Sequence, residues 1–492
     1  MARSIAAFVL AGLVALSLIA AVAALVITKL LPTGWLVGVL AVDAVASAGV
    51  IALLLTSRAL RHRARFVLGV LLSILLIAIN GGVTAVGYNY YRLANGIQVP
   101  VTGDDTIQYD VVALTSGPAT LGDVTNTQMG QTANDPNQAV VQQKVNELVS
   151  GITFVDQQDW STAVNSLLAG QFPSIVIEDG FMQILQDADP TDYANLKILT
   201  NFTISGTTVL PSGTGSAAPT PTATALGPDQ PFIVYISGID TSGAITNRSR
   251  SDVNQLMVVN PKTGKVLLVS TPRDFYVQLA DMPSCGTLKD KLTHSGVYGI
   301  NVSVDTMNAL YGINIDYYVR LNFTSLVTLV DAVGGIDVNS SVAFSAPSNS
   351  GKGTYNFVKG VNHLNGDQAL AFARDRHSFA TGDRQRGIDQ QAVITGVLAK
   401  VTQPSSLMNA PSIISAISGS IQTSMTPDEI SAQVQQQITN GTKWSVTSMS
   451  ANGSDDSQYT CSYPHQKLYV MDPDQSTVDA AKTAIQAVLA GN

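Results

Sequence analysis

The sequence predicts an α/β protein held to a membrane. It has three N-terminal transmembrane helices, a small α/β accessory domain, and a larger α/β domain with a central sheet covered by helices. Three observations carry that reading. Three long apolar runs stand one after another in residues 1–90. Charged residues make up 13% of the 492, about half the share usual in soluble proteins. Residues 1–90 hold six basic side chains against one acid, whereas the whole chain carries −8, so the remainder is acidic. A basic, apolar head on an acidic body excludes a simple cytosolic enzyme. It also argues against nucleic acid as a partner, because the body repels phosphate backbones.

The runs Ile5–Ile27, Trp35–Leu55 and Phe66–Val86 each reach the roughly 20 residues that cross a hydrocarbon core as a helix, and define an anchor over residues 1–88. The loop between the second and third holds Arg58, Arg61, Arg63 and Arg65. Short loops rich in arginine stay in the cytoplasm. That places the N-terminus inside and everything after the third run outside, in a multi-pass cell-membrane protein. A cleavable leader ending near Ala21-Val22-Ala23 is the alternative for the first run, and its length favours a retained span.

Residues 89–208 read as the accessory domain. Tyr109–Leu114, Ser174–Glu178 and Leu196–Leu199 are strand-like, while Asn137–Val149 and Trp160–Ala169 have helical spacing. No motif in this stretch carries chemistry, so it reads as a spacer or binding module. Residues 209–229 are a Pro/Thr/Ser-rich linker. The second domain, 230–492, opens on Phe232–Ile236 and continues with strands at Gln255–Val259, Val266–Ser270 and Tyr317–Leu321. Helices are expected at Ser325–Val333 and Asp389–Val401, and residues 405–492 complete the domain with helices at Pro427–Ile438 and Ser476–Leu489. Cys285 and Cys461 are the chain's two cysteines. An oxidising exterior favours one long-range bridge between them, with two thiols the alternative.

Common catalytic signatures are absent: there is no G-x-S-x-G, H-E-x-x-H, Walker lysine motif or C-x-x-C. Arginines and aspartates gather instead beside strand ends and turns. Asp240 follows one strand and Asp252 precedes the next. Two such carboxylates suit a hard cation with positions left for phosphate oxygens, and turn or capping roles suit them equally. Arg273-Asp274 ends a further strand, and Arg374-Asp375-Arg376 is followed by Asp383-Arg384-Gln385-Arg386 and Gln390. Arginines two apart project from one side of an extended segment and make a planar clamp for phosphate. A solvated salt-bridge network with Asp274, Asp375 and Asp383 is the competing reading.

Taken in order, Gly238-Ile239-Asp240, Arg250-Ser251-Asp252, Thr271-Pro272-Arg273-Asp274, Lys291-Leu292-Thr293-His294, Val333-Gly334-Gly335-Ile336-Asp337, Leu364-Asn365-Gly366, Ala369–Arg376 and Gln390-Gln391 resemble the LytR–CpsA–Psr family. The resemblance runs from about Gln230 to the C-terminus, and the three spans with a preceding module look like its capsule-type members. It implies a domain with a mixed sheet. It also implies a phosphotransferase that moves a glycopolymer (teichoic acid, capsular or other wall polysaccharide) from a polyisoprenyl-pyrophosphate donor onto a peptidoglycan hydroxyl. By the same resemblance, Asp240 and Asp252 would hold Mg²⁺ or Mn²⁺. Arg250, Arg273, Lys291, Arg374, Arg376, Arg386 and Gln390 would grip phosphate oxygens, and Asp383 would take the acceptor proton. A lipid tail would run among Tyr317, Tyr318, Val319, Leu321, Phe323, Leu326 and Leu329, for which core packing is the default reading. The sequence departs from the family pattern at Asp389, where an arginine is usual. Lipid-pyrophosphate hydrolysis is a possible side activity, and a non-catalytic wall-polymer sensor is the alternative function.

Overall fold

The computed structural model describes residues 2–28, 31, 33–57, 63–94, 105–133, 135–205, 227, 229–239, 245–351, 353–376, 378–379 and 382–492. The linker residues 209–226 and Asp240 lie outside them. Two compact units emerge. The first comprises Met1–Gln98, Leu398–Gly419 and Thr426–Lys443; the second comprises Val99–Val397, Ser420–Met425 and Trp444–Asn492.

In the first unit, helices α1 (Ala2–Thr28), α2 (Thr33–Thr56) and α3 (Arg63–Ala94) are long and apolar enough to cross a membrane. Small residues let them approach closely, as in lipid, where packing rather than water exclusion drives association. Ala7, Ala11 and Val14 meet Val50 and Leu54, and a Cβ on Gly87 would stand 2.8 Å from that of Ala24.

The second unit begins with a five-stranded sheet of β1 (Thr106–Leu114), β2 (Gln128–Thr132), β3 (Thr153–Gln157), β4 (Ser174–Glu178) and β5 (Leu196–Ser205), ordered β3-β2-β4-β1-β5. Side chains alternate across a strand. Ile107, Tyr109 and Val111 therefore face α4 (Gln138–Leu148), while Val112 joins the opposite core with α5 (Trp160–Leu168) and α6 (Asp179–Ala188). A short helix, α7 (Pro190–Ala194), leads into β5.

The larger sheet is mixed. It contains β6 (Phe232–Ile239), β7 (Ser251–Asn260) and β8 (Lys265–Thr271), whose β-branched runs are buried nearly throughout. A small ribbon, β9 (Tyr276–Val277) with β10 (Asp290–Lys291), precedes α8 (Ile300–Tyr311) and the sheet strand β11 (Tyr317–Leu321). Next come α9 (Phe323–Ala332) and two antiparallel pairs: β12 (Ile336–Ser340) with β15 (Gly360–Leu364), and β13 (Phe344–Pro347) with β14 (Thr354–Phe357). After these come α10 (Gly366–Arg374) and α11 (Asp383–Val401). The helices α12 (Pro404–Met408), α13 (Ala410–Ile417) and α14 (Pro427–Asn440) fall in the first unit. Edge strands β16 (Ile421–Thr423) and β17 (Ser445–Ser450) complete the order β16-β11-β6-β7-β8-β17. β6 pairs parallel with β11 and antiparallel with β7. The hairpin β18 (Gly453–Tyr459) and β19 (Lys467–Pro473) precedes α15 (Gln475–Leu489), which covers one face.

Within 405–492, expected to complete the second domain, α12, α13 and α14 group with the first unit. The sequence of α13, Ala410-Pro411-Ser412-Ile413-Ile414-Ser415-Ala416-Ile417, has too few polar residues to stand in water, and it packs along α3 instead.

Two features tie the accessory domain to the larger one. Trp160 is stacked between Phe181 of its own domain and Tyr463 across the boundary, at centroid distances of 5.4 and 5.3 Å. Its Nε1 donates to the Ser462 carbonyl at 2.8 Å. At the other end, Arg248 N donates to Thr106 O at 3.0 Å, and Thr106 N donates to Thr246 O at 2.9 Å. Cys285 and Cys461 form a disulfide across a separation of 176 residues, with Cα atoms 5.3 Å apart.

Candidate active site

A cavity of about 530 Å³ opens where β6 and β11 end, β7 begins, and α9, α10 and α11 converge. Its lining includes the apolar side chains of Ile236, Ile239, Val253, Leu326, Leu370 and Ile394. The same lining carries Arg250, Asp252, Arg273, Arg374, Arg376 and Arg386. Pairing of β6 with β7 shifts register between Gly238 and Ile239, and a Cβ on Gly238 would come within 2.6 Å of Val253 Cγ2. Only glycine lets the two strands stay this close.

Arg273 is the hub. It is 9% exposed, and its Nη1 donates to Asp252 Oδ1 at 2.9 Å while its Nη2 meets Asp187 at 3.2 Å. Asp274 stands 3.6 Å from its Nε and also binds Lys291 Nζ at 2.5 Å. Arg250, equally buried, pairs with the same Asp187. Burial pushes the Asp252 carboxyl up, but Arg273, Arg250 and Arg386, with a hydrogen bond from Thr293, outweigh it and hold it well below the usual carboxylate range. Asp252 is thus a fixed anion on the cavity wall. Arg374 and Arg376 are exposed at the rim, and the Arg374 guanidinium lies 3.8 Å from the centroid of the Phe323 ring. Gln390 also lines the cavity and donates to Ala373 O at 3.4 Å.

The structure therefore brings Arg250, Asp252, Arg273, Arg374, Arg376, Arg386 and Gln390 together. Lys291 is not on the wall; it reaches the site only through Asp274. Asp240 lies outside the described residues, as does the side chain of Asp383 at the start of α11. Arg250 and Arg273 are bridged by carboxylates, as in a salt-bridge network, while Arg374 and Arg376 are exposed at the rim, where Arg374 Nη1 donates to Asn349 Oδ1 at 2.5 Å. Of the residues considered for a lipid path, Leu321, Phe323 and Leu326 line the cavity, whereas Tyr317 and Tyr318 are buried in packing. Asp187 was not anticipated. Its signal is a polar stripe, Asp179, Gln183 and Asp187, at helical spacing of four.

Among the described residues, no group of three or more His, Cys, Asp or Glu converges to hold a metal. The ionised Asp252 on the cavity wall has the chemistry of an oxygen donor to a hard cation, and its Oδ1 already accepts from Arg273 and Thr293. His294 has a serine nearby: its Nδ1 lies 2.7 Å from Ser462 Oγ and 2.6 Å from Asp290 Oδ1. Both contacts use one ring nitrogen and all three residues are buried, so this is a core network and not a nucleophile with its relay.

Asp389 precedes the wall residue Gln390 on α11 and is 1% exposed. Burial raises its carboxyl to about 7; Asp375 adds to the rise and the Gln385 amide opposes it. A raised folded-state value means stability that is complete below the ordinary 3.8 and lost as pH climbs through about 7. Asp389→Asn is accordingly expected to gain on the native chain between acid and alkaline conditions. Urea midpoints at pH 5 and pH 8 check this, and a gap that does not widen toward pH 8 would count against it.

An α/β domain whose cavity is lined by apolar side chains and by arginines has the chemistry to take an amphiphile with an anionic head. The comparisons sharpen this: the LytR_cpsA_psr family model matches residues 211–486, and the chain belongs to that family. A relative from Enterococcus faecalis (strain ATCC 700802 / V583), described as polyisoprenyl-teichoic acid--peptidoglycan teichoic acid transferase TagU, is 36% identical over 203 residues, covering 41% of this chain and 64% of its own. Its counterpart from Bacillus mycoides (strain KBAB4) is 33% identical over 202 residues, covering 41% and 62%. The chain thus spans less than two thirds of the length of these relatives. Among solved structures, B. subtilis TagV superposes with TM-score 0.45 at 27% identity, covering 53% of this chain and 98% of that one. TagT bound to LIIa-WTA gives 0.41 at 25% identity, covering 54% and 93%.

Proposed function

We propose that this chain is a phosphotransferase that moves a glycopolymer from a polyisoprenyl-pyrophosphate carrier to a peptidoglycan hydroxyl. Its three N-terminal helices would anchor it in the cell membrane with the body outside, as the arginine-rich second loop argues. One observation carries the reading: a single cavity joins apolar side chains to Arg250, Arg273, Arg374, Arg376 and Arg386 around Asp252. Prenyl tail and pyrophosphate need just such neighbours. The two TagU relatives are named for transfer of teichoic acid to peptidoglycan, which makes a teichoic-acid-like polymer the first donor to test.

In this reading the acceptor hydroxyl attacks the sugar-linked phosphorus. A new oxygen–phosphorus bond forms, the pyrophosphate bridge breaks, and polyisoprenyl phosphate leaves. Phosphoryl transfer depends on alignment and on stabilising charge over the phosphate oxygens. The rim guanidiniums of Arg374 and Arg376 would bind those oxygens from solvent, while Arg250 and Arg273 would bind them from within. Asp383 is assigned the acceptor's proton by family resemblance. Mg²⁺ or Mn²⁺ held by Asp252 and Asp240 would add charge neutralisation at the pyrophosphate. No covalent enzyme nucleophile is required, which accounts for the missing serine and cysteine motifs.

The test is turnover by the full chain in detergent with a polyprenyl-pyrophosphate-linked sugar, peptidoglycan fragments, and Mg²⁺ or chelator. Metal-dependent release of polyprenyl phosphate with a phosphodiester product is the expected result. Release without attachment would replace transfer with lipid-pyrophosphate hydrolysis. Binding with no release from any donor would overturn catalysis in favour of a polymer sensor, a reading to which the carboxylate-bridged state of Arg250 and Arg273 lends some weight.

A further inference from the structure

The accessory domain reaches into the cavity of its neighbour. Asp187, in the last turn of α6, bridges Arg250 and Arg273 with one carboxylate oxygen. The helix is held in place for this. Gln183, one turn earlier, accepts from Ser249 Oγ at 2.8 Å, and a Cβ on Gly180 would stand 2.6 Å from Val297 Cγ1. An oxygen shared between two guanidiniums is also how a phosphate oxygen would sit there.

The three carboxylates around Arg273 differ in their freedom. The side chains of Asp252 and Asp274 are 13% and 9% exposed, whereas that of Asp187 is 33% exposed. Moving a buried carboxylate off its arginine leaves an uncompensated charge, which is costly; a partly hydrated one can swing to water cheaply. Arg273 also keeps Asp252 and Asp274 if Asp187 leaves. Asp187 is therefore surplus to holding Arg273 in place, and it is the partner an incoming anion can displace.

We propose that Asp187 is a built-in competitor of phosphate, through which the accessory domain sets the affinity of the cavity for its pyrophosphate ligand. Before a ligand binds, Asp187 shares its single negative charge between Arg250 and Arg273. Pyrophosphate takes both guanidiniums and sends the carboxylate to solvent. The accessory domain is then part of the binding site rather than a spacer. This rests on the pyrophosphate reading of the cavity given above.

The experiment measures calorimetric binding of farnesyl pyrophosphate, in Mg²⁺ buffer, to the detergent-solubilised full chain and to Asp187→Asn, Asp187→Glu and Arg374→Ala. Asp187→Asn keeps shape and removes charge. It is expected to bind about tenfold tighter, equivalent to about 1.4 kcal/mol, and Asp187→Glu to return toward the native affinity. A gain in affinity is a readout that loosened packing would not produce. Equal or weaker binding by Asp187→Asn, with native binding intact and sensitive to Arg374→Ala, would overturn the competitor role and leave the pyrophosphate site standing. No binding by the native chain, or binding indifferent to Arg374→Ala, would overturn the pyrophosphate site and this proposal with it.

Discussion

Arg374→Ala is expected to lower transfer by about 10²–10³-fold, the usual cost of removing one positioned donor to developing charge, while leaving the fold nearly unchanged. The two effects separate because of where Arg374 sits. Its side chain is exposed at the rim of the cavity and its guanidinium lies over the Phe323 ring. An exposed stacking contact of this kind is worth about 0.5–1 kcal/mol and the hydrogen bond from its Nη1 to Asn349 Oδ1 about 0.5–1.5 kcal/mol, together still below the roughly 3–4 kcal/mol that such a fall in turnover represents. Turnover measured beside a thermal unfolding curve makes the check. Arg374→Lys should recover only part of the rate, because an ammonium keeps the charge and loses the planar fork. Native turnover by Arg374→Ala would remove the arginine clamp from the mechanism. The same experiment on Arg273 would be harder to read, since loss of that buried hub strands Asp252 and Asp274 as well.

The largest stability effect is expected from the Cys285–Cys461 bridge, which closes a loop of 176 residues. In the chain-entropy model a closure of that length stabilises by about 5 kcal/mol, comparable with the roughly 5–15 kcal/mol of an entire domain. Cys285→Ser with Cys461→Ser, or reduction of the native chain, should therefore bring the denaturant midpoint down sharply. The bridge also holds the segment leading into Ser462 and Tyr463, so Trp160 fluorescence should report the loss early. An unchanged midpoint after complete reduction would show that the loop is constrained by its packing alone.

Elements buried on both faces were the easiest to read. β6, the second half of β7 and β8 are apolar, largely β-branched runs because nearly every position along them is buried. The three N-terminal helices were legible for the related reason that lipid accepts apolar side chains all round. β2 was not: Gln128-Met129-Gly130-Gln131-Thr132 has a single large apolar residue, and its place is set by pairing with neighbours. α6 was hidden by Gly180 in its first turn, a residue that lowers helix propensity and is there for the approach of Val297. Arg250, Asp252 and Arg273 could be picked out because they stand beside strand ends, and Arg374, Arg376 and Arg386 because they cluster between the end of α10 and the first turn of α11. Lys291 shared that signal, yet its partner Asp274 holds it off the wall. Asp187 lies 63 residues from Arg250 and 86 from Arg273, in another domain. Sequence spacing gives no hint of a contact that depends on two folded surfaces meeting.

The stacking of Trp160 between Phe181 and Tyr463 limits how this chain can be recombined. An accessory domain grafted from a relative without the indole would leave the Tyr463 ring uncovered and the Ser462 carbonyl without its donor. It would also present a different helix end to Arg250 and Arg273. The two halves are therefore not expected to work as interchangeable cassettes, and substitutions on either side of the seam are expected to change in step among relatives that carry both.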